Sequence, residues 1–220
     1  NGTVAIETHG CKLNTADSRV LAARFMQAGY KVIESDQPAD IYVLNTCTVT
    51  HVADRKGRQS LRAAYRRNPE AIIVAAGCYA QRAPVELAQI EGVTLVIGNH
   101  GKEDLVDQIL HLRNEAIIPC ATGLETPWKQ SSHFRTRAML KIQEGCDQVC
   151  SYCIVPKVRG RERSIHPDIL IAQVQEEVAQ GCAEVVLTGT QLGSYGFDIS
   201  GVTLVTLLQR ILEETQVSRV

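Results

Sequence analysis

The sequence predicts an α/β protein: an N-terminal open parallel sheet with helices on both faces, followed by the first part of a β/α barrel. Three observations carry this expectation. Short apolar runs alternate with helical apolar patterns through residues 1–112, as in a parallel sheet covered on both sides. Residues 113–136 break the alternation with Pro119, Gly123, Pro127, Ser131 and Ser132, the composition of a linker. Strand and helix patterns then resume and run from residue 137 to residue 220.

In the first part, residues 4–6 read as a strand and residues 16–28 as a helix ended by Gly29. Residues 41–44 are a second strand, followed by a helix over 51–67 whose end Pro69 marks. Residues 72–75 form a third strand, Pro84 opens a helix to residue 90, and residues 95–97 form a fourth strand. A closing helix covers 102–112. The linker holds Trp128, the only tryptophan. Beyond it, residues 138–142 form a strand that feeds a cysteine loop, and a helix runs from Pro167 to residue 180, ending at Gly181. A strand at 184–187, a Gly-rich loop at 188–196 and a helix at 203–214 complete two strand–helix units. Residues 217–220 read as the opening of a third strand, and with Asn at position 1 the chain reads as a piece cut at both ends. In a β/α barrel the chemistry belongs to loops at the C-terminal ends of strands, where the cysteine loop and the Gly-rich loop both fall.

The chain has 8 cysteines, 45% hydrophobic residues and a formal net charge of -1. No apolar stretch approaches bilayer length and no secretory signal opens the chain, so it reads as soluble and cytoplasmic, with no membrane partner. In that compartment cysteines serve metals more often than disulfides, and no disulfides are expected. Cys146, Cys150 and Cys153 form a Cys-x3-Cys-x2-Cys run in one loop. Three thiolates can hold three irons of a cubane cluster and leave the fourth open for a small molecule. Structural zinc is the alternative; it wants four ligands, and only His133 or His166 stands near enough in sequence. Cys11, Cys47 and Cys78 each follow a predicted strand, so a parallel topology delivers all three to one rim. Gly10 and Gly77 stand directly before two of them and leave backbone room for a bulky inorganic ligand. The alternative is three ordinary reduced cysteines.

The small net charge hides segregation. Residues 51–82 carry Arg55, Lys56, Arg58, Arg62, Arg66, Arg67 and Arg82 against Asp54 and Glu70, a balance of +5. Residues 129–166 carry Lys129, Arg135, Arg137, Lys141, Lys157, Arg159, Arg161 and Arg163 against Glu144, Asp147 and Glu162, again +5. Such islands suit a polyanionic partner or are simply solvated faces; the second flanks the cysteine loop, which favours a partner there. Arg159, Arg161 and Arg163 are candidates for RNA phosphate contact, since guanidinium forks match that geometry.

Gly10-Cys11-Lys-Leu-Asn14, Asn45-Thr-Cys47, Gly77-Cys78-Tyr79 and the Cys-x3-Cys-x2-Cys loop, in that order, resemble the radical S-adenosylmethionine methylthiotransferases over the whole chain. Asn45-Thr-Cys-Thr-Val-Thr50, Leu140-Lys-Ile-Gln-Glu-Gly-Cys146 and Leu187-Thr-Gly-Thr-Gln-Leu-Gly-Ser-Tyr-Gly196 are most similar to the branch acting on tRNA threonylcarbamoyladenosine. The resemblance implies a radical S-adenosylmethionine barrel and two 4Fe-4S clusters. One would be held by Cys146, Cys150 and Cys153 and would cleave S-adenosylmethionine to a 5′-deoxyadenosyl radical. The other, on Cys11, Cys47 and Cys78, would carry or donate sulfur. It further implies a tRNA substrate methylthiolated beside the anticodon, and an electron donor such as flavodoxin or ferredoxin.

Tyr152 is a candidate to cover the S-adenosylmethionine adenine, with a packing aromatic as the alternative. Gly189 and Gln191 are candidates for the methionine end, though they stand where relatives carry a Gly-Gly-Glu element that this chain lacks. His9 reads as a supporting donor or a loop residue, His51 and His111 as surface positions, and Cys120 and Cys182 as structural. A ribosomal-protein or isopentenyladenosine-tRNA methylthiotransferase is the alternative enzyme. A metal-stabilised, non-catalytic RNA-binding fragment is the alternative of another class. These 220 residues alone are expected to be inactive, lacking the rest of a barrel.

Overall fold

The computed structural model of the chain describes residues 2–113 and 137–220. The predicted linker, with Trp128, Cys120, His133, Lys129 and Arg135, lies outside the described residues apart from Arg113 at its start. The chain divides into two compact units.

The first unit is a five-stranded, all-parallel sheet in the order β2-β1-β3-β4-β5. Its strands are β1 (Thr3–Thr8), β2 (Lys31–Ile33), β3 (Ile41–Thr46), β4 (Ile72–Gly77) and β5 (Val93–Ile97). Sequence reasoning finds four of these strands. It misses β2, because three residues at a sheet edge are too few to show a period and only β1 pairs with them. Val4 pairs with Ile41 and Ala5 with Tyr42, so alternate residues of each strand face opposite layers.

Against one face lie α1 (Lys12–Gln27) and α5 (Leu105–Leu112). Leu21, Phe25, Ile109 and Leu110 pack there on Val4, Ile41, Val43, Val74 and Ala76. Against the other lie α2 (His51–Arg67), α3 (Cys78–Arg82) and α4 (Pro84–Ala88), with Leu61, Ala64, Tyr79 and Leu87 over Ala5, Tyr42, Leu44, Ile73 and Ala75. Both faces of the sheet are therefore buried, which is why its strands read as apolar runs rather than alternating ones.

Several boundaries shift from the sequence expectation. α1 starts at Lys12, which makes Cys11 its N-cap residue. The predicted closing helix begins as a 3-10 turn over Asn99–Asp104 before α5. There Lys102 is buried in an ion pair with Asp17, 2.9 Å away, which ties the turn to α1.

In the second unit β6 (Arg137–Lys141) pairs in parallel with β9 (Glu184–Thr188), and α7 (Pro167–Ala179) and α8 (Leu204–Glu214) follow the two strands. Leu140, Leu170, Val174, Val185, Leu207 and Ile211 form its core. The anticipated third strand shows as a parallel bridge from Glu184 to Arg219. One feature was not anticipated. Two-residue strands β7 (Gln143–Glu144) and β8 (Arg163–Ser164) pair antiparallel and close the base of the cysteine loop, which also carries α6 (Val155–Arg159).

Candidate metal and cofactor sites

In the first unit the cysteines leave three neighbouring strands. Cys11 follows β1, Cys47 directly follows β3, and Cys78 directly follows β4, at the carboxyl edge of the sheet. Two buried amides fix the loops that carry them. Asn14 Nδ2 donates to the carbonyls of His9 at 2.7 Å and Thr46 at 2.9 Å. Asn45 Nδ2 donates to the Asn14 carbonyl and to Ser18 Oγ, both at 2.9 Å. The Thr46 hydroxyl donates to the Ala76 carbonyl and accepts from the Tyr79 N–H, joining the Cys47 loop to the Cys78 helix. Among the described residues Asn45 Oδ1 and His9 Nδ1 are buried there with no hydrogen-bond partner.

Gly10 explains its own identity. Its φ is +107°, and a Cβ there would stand 2.6 Å from Cys47 Cβ and 2.9 Å from its Sγ. Gly77, at φ +97°, is confined in the same way by Asn45 and Thr46. Burial pushes the Cys47 thiol up from its ordinary value; the Val49 N–H opposes this, and the Cys78 and Cys11 thiols add to it. Cys47 is thus within electrostatic reach of both other thiols. Cys11 is exposed at the N-terminus of α1. Sequence reasoning missed Asn99, whose Nδ2 donates to Cys78 Sγ at 3.4 Å. Nothing local marks it, because it arrives from the loop after β5.

His9 does not face the cysteines through Nε2, which lies 2.7 Å from Glu7 Oε1. Glu7 also accepts from Ser60 at 2.8 Å and from the Tyr42 hydroxyl. With these donors its carboxyl is held down to about 2, His9 contributing most.

In the second unit Cys146, Cys150 and Cys153 lie on the loop above β7 and β8. The Cys146 N–H donates to the Gly160 carbonyl at 3.1 Å, and the Cys153 N–H to the Cys150 carbonyl at 3.2 Å. Gly145 has φ +77° and would place a Cβ 1.9 Å from the Arg161 carbonyl oxygen. Tyr152 projects from the loop and is 90% exposed.

Gln143 is the second residue the sequence reading left out. It is fully buried, and its Oε1 accepts from the N–H groups of Thr190 at 2.9 Å and Gln191 at 3.0 Å. Its Nε2 donates to the Gly145 carbonyl at 3.0 Å. One side chain therefore fixes the cysteine loop to the Gly-rich loop. Gly189 packs against it, with room for a Cβ only 3.0 Å from Gln143 Oε1, while Gln191 is solvent-exposed.

The three arginines divide. Arg159 is buried beside Glu144, 3.5 Å from Oε2, and so is not presented for phosphate contact, contrary to the sequence expectation. Arg163 pairs with the same carboxylate, which Lys141 also approaches at 3.3 Å. Arg161 is exposed. His166 caps α7, and Cys182 is in the core, donating to the Glu184 carbonyl. His51 and His111 are exposed, and the described cysteines are free thiols.

Among the described residues no three His, Cys, Asp or Glu side chains converge on a point that a single ion would fill. A cubane spreads its thiolates over separate irons and does not require that convergence. The donor sets fit it: two groups of three thiols, one with a glycine held against a cysteine where a Cβ would intrude.

Comparison with known proteins finds clear relatives. The family described as "Uncharacterized protein family UPF0004" matches residues 3–98. The threonylcarbamoyladenosine tRNA methylthiotransferase of Aquifex aeolicus is 42% identical over 96% of this chain and 53% of its own length. That of Bacillus subtilis is 41% identical over 95% of this chain and 48% of its own. Over nearly its whole length the chain is similar to the tRNA methylthiotransferases. Other methylthiotransferase relatives include a tRNA-2-methylthio-N(6)-dimethylallyladenosine synthase of Chloroherpeton thalassium, 33% identical over 94% of this chain and 48% of that protein. This chain spans about half the length of the methylthiotransferases it matches. A radical S-adenosylmethionine methyltransferase of Kitasatospora setae, TsrM, shares the fold with a TM-score of 0.62 at 15% identity, over 96% of this chain and 51% of that one.

Proposed function

We propose that this chain is the cluster-bearing part of a tRNA methylthiotransferase that acts on N6-threonylcarbamoyladenosine beside the anticodon and uses S-adenosylmethionine. The observation that carries the reading is the pair of three-cysteine sets, Cys11, Cys47 and Cys78 in one unit and Cys146, Cys150 and Cys153 in the other. A set of three leaves one iron of a cubane open, so each set suits a cluster that binds something further. The 42% identity to a protein of that name supports the threonylcarbamoyladenosine branch over the dimethylallyladenosine one.

Bound 4Fe-4S clusters supply one-electron chemistry and a sulfur-carrying iron, which no side chain can provide. The chain's own residues supply position. Asn14, Asn45 and Thr46 hold the rim loops in register, and Gly10 keeps the space against Cys47 free of side chain. Asn99 donates to the Cys78 sulfur and orients it. Gln143 holds the Gly-rich loop at a set height over the cysteine loop. Tyr152 on the cysteine loop and Gln191 at that junction are exposed, and S-adenosylmethionine would lie against them.

The test is iron and sulfide content after anaerobic reconstitution. About eight irons per chain, falling to about four in Cys78→Ala and in Cys150→Ala, is the expected result. Four irons lost only with Cys150 would remove the sulfur-carrying site, and zinc without iron would end the reading. The nucleoside is tested by mass analysis of tRNA from cells lacking the gene for this chain. Loss of the methylthio derivative of threonylcarbamoyladenosine is expected; loss of the isopentenyl one would move the chain to the other branch.

A further inference from the structure

The first basic island divides in two. Arg58 donates to the Tyr79 hydroxyl and pairs with Glu86 at 2.9 Å; Arg82 pairs with buried Asp54 at 2.8 Å; Arg67 donates to the Ser35 carbonyl and lies over the Tyr42 ring. These three are spent within the fold. Arg55, Lys56, Arg62 and Arg66 are exposed, and none forms an ion pair among the described residues.

Their spacing sets them in a row. Arg55, Gln59, Arg62 and Arg66 follow one another at four, three and four residues, which on a helix is one stripe, with Lys56 alongside. The stripe rises about 16 Å along the axis. The exposed residues of α2 are His51, Val52, Arg55, Lys56, Gln59, Arg62 and Arg66, with no carboxylate among them; the only acid of the helix, Asp54, is turned inward to Thr48 and Arg82. α2 begins at His51, four residues after Cys47, so the stripe starts at the cysteine rim and runs away from it.

We propose that the exposed stripe of α2 is a docking face for the phosphate backbone of the tRNA. The inference rests on the tRNA reading given above and adds the surface. Charge complementarity names the occupant: a linear row of cations, three of the four of them arginines, suits a row of phosphates. The row from Arg55 to Arg66 contains no exposed apolar residue, whereas a protein partner needs a dry apolar centre to hold it. The position at the rim gives the face a use, since an RNA held there is anchored beside the thiols.

The experiment is binding of labelled tRNA to the full chain, followed by fluorescence anisotropy over a range of salt. The variant R55Q/K56Q/R62Q/R66Q should bind at least about tenfold more weakly near 0.1 M salt. Its slope of log affinity against log salt should be shallower by roughly three to four. Exposed helix positions tolerate glutamine, and R55K/R62K/R66K, which keeps every charge, should retain the slope. A wild-type slope preserved in the glutamine variant overturns the proposal and leaves the tRNA reading intact. Wild-type chain that binds tRNA without salt dependence overturns the proposal too, whatever the iron content. Polyglutamate binding that the variant loses while its tRNA slope is unchanged would assign the face to an acidic protein and overturn it as well.

Discussion

Gln143 and Gln191 are joined across 48 residues by a hydrogen bond of 3.0 Å, from the Gln191 N–H to the buried Gln143 amide oxygen. The same oxygen takes the Thr190 N–H, and the other end of the amide holds the Gly145 carbonyl. A single side chain therefore sets the separation of the two loops that meet at the strand ends of the second unit.

Gln143→Ala leaves four backbone groups without that partner and should destabilise the chain by about 2–4 kcal/mol, from the cost of unsatisfied buried polar groups. Denaturant unfolding measures the loss. Amide exchange at Thr190 and Gln191 should accelerate while the iron content of the cysteine loop persists. Unchanged exchange at those two amides would show that the loops are held by other contacts.

Gly10→Ala tests the glycine against Cys47. The added Cβ meets the cysteine at 2.6 Å with φ at +107°, so the loop must move or the thiol must turn away. Reconstituted iron should fall from about eight to about four per chain. Gly29→Ala is the control, because its φ of +83° carries similar backbone strain, about 1–2 kcal/mol, at the end of α1 away from the rim. Gly29→Ala should keep its iron. Equal iron loss in both variants would reduce the effect to backbone strain.

Glu7 predicts an acid-dependent stability. Its carboxyl is held down to about 2 from an ordinary 4.5, first by the His9 hydrogen bond and then by those of Tyr42 and Ser60, against burial. A folded-state value below the unfolded one means that the group stabilises the fold fully above about pH 5. That contribution is lost as pH falls through about 4.5 toward 2. It amounts to about 3 kcal/mol at most. In metal-free protein, Glu7→Gln should therefore be destabilised relative to wild type at pH 7 and approach it near pH 2.5. A difference that does not shrink with acid would remove Glu7 as the titrating group.

The sequence by itself determined the alternation of the first unit, the α2 span of residues 51–67 and the positions of six cysteines after strands. Apolar runs, Pro69 and the thiols are properties of neighbouring residues, so they can be read along the chain. The strand order decided the rest. β1, β3 and β4 lie side by side, which makes neighbours of Cys11, Cys47 and Cys78. Asn99 reaches Cys78 across 21 residues and Gln143 reaches Thr190 across 47, spacings that no local period encodes. Tertiary structure also sorted the charges. Arg159 and Arg163 sit on Glu144, whereas Arg55, Lys56, Arg62 and Arg66 stand clear, because a charge count carries no information about which carboxylate packing brings near.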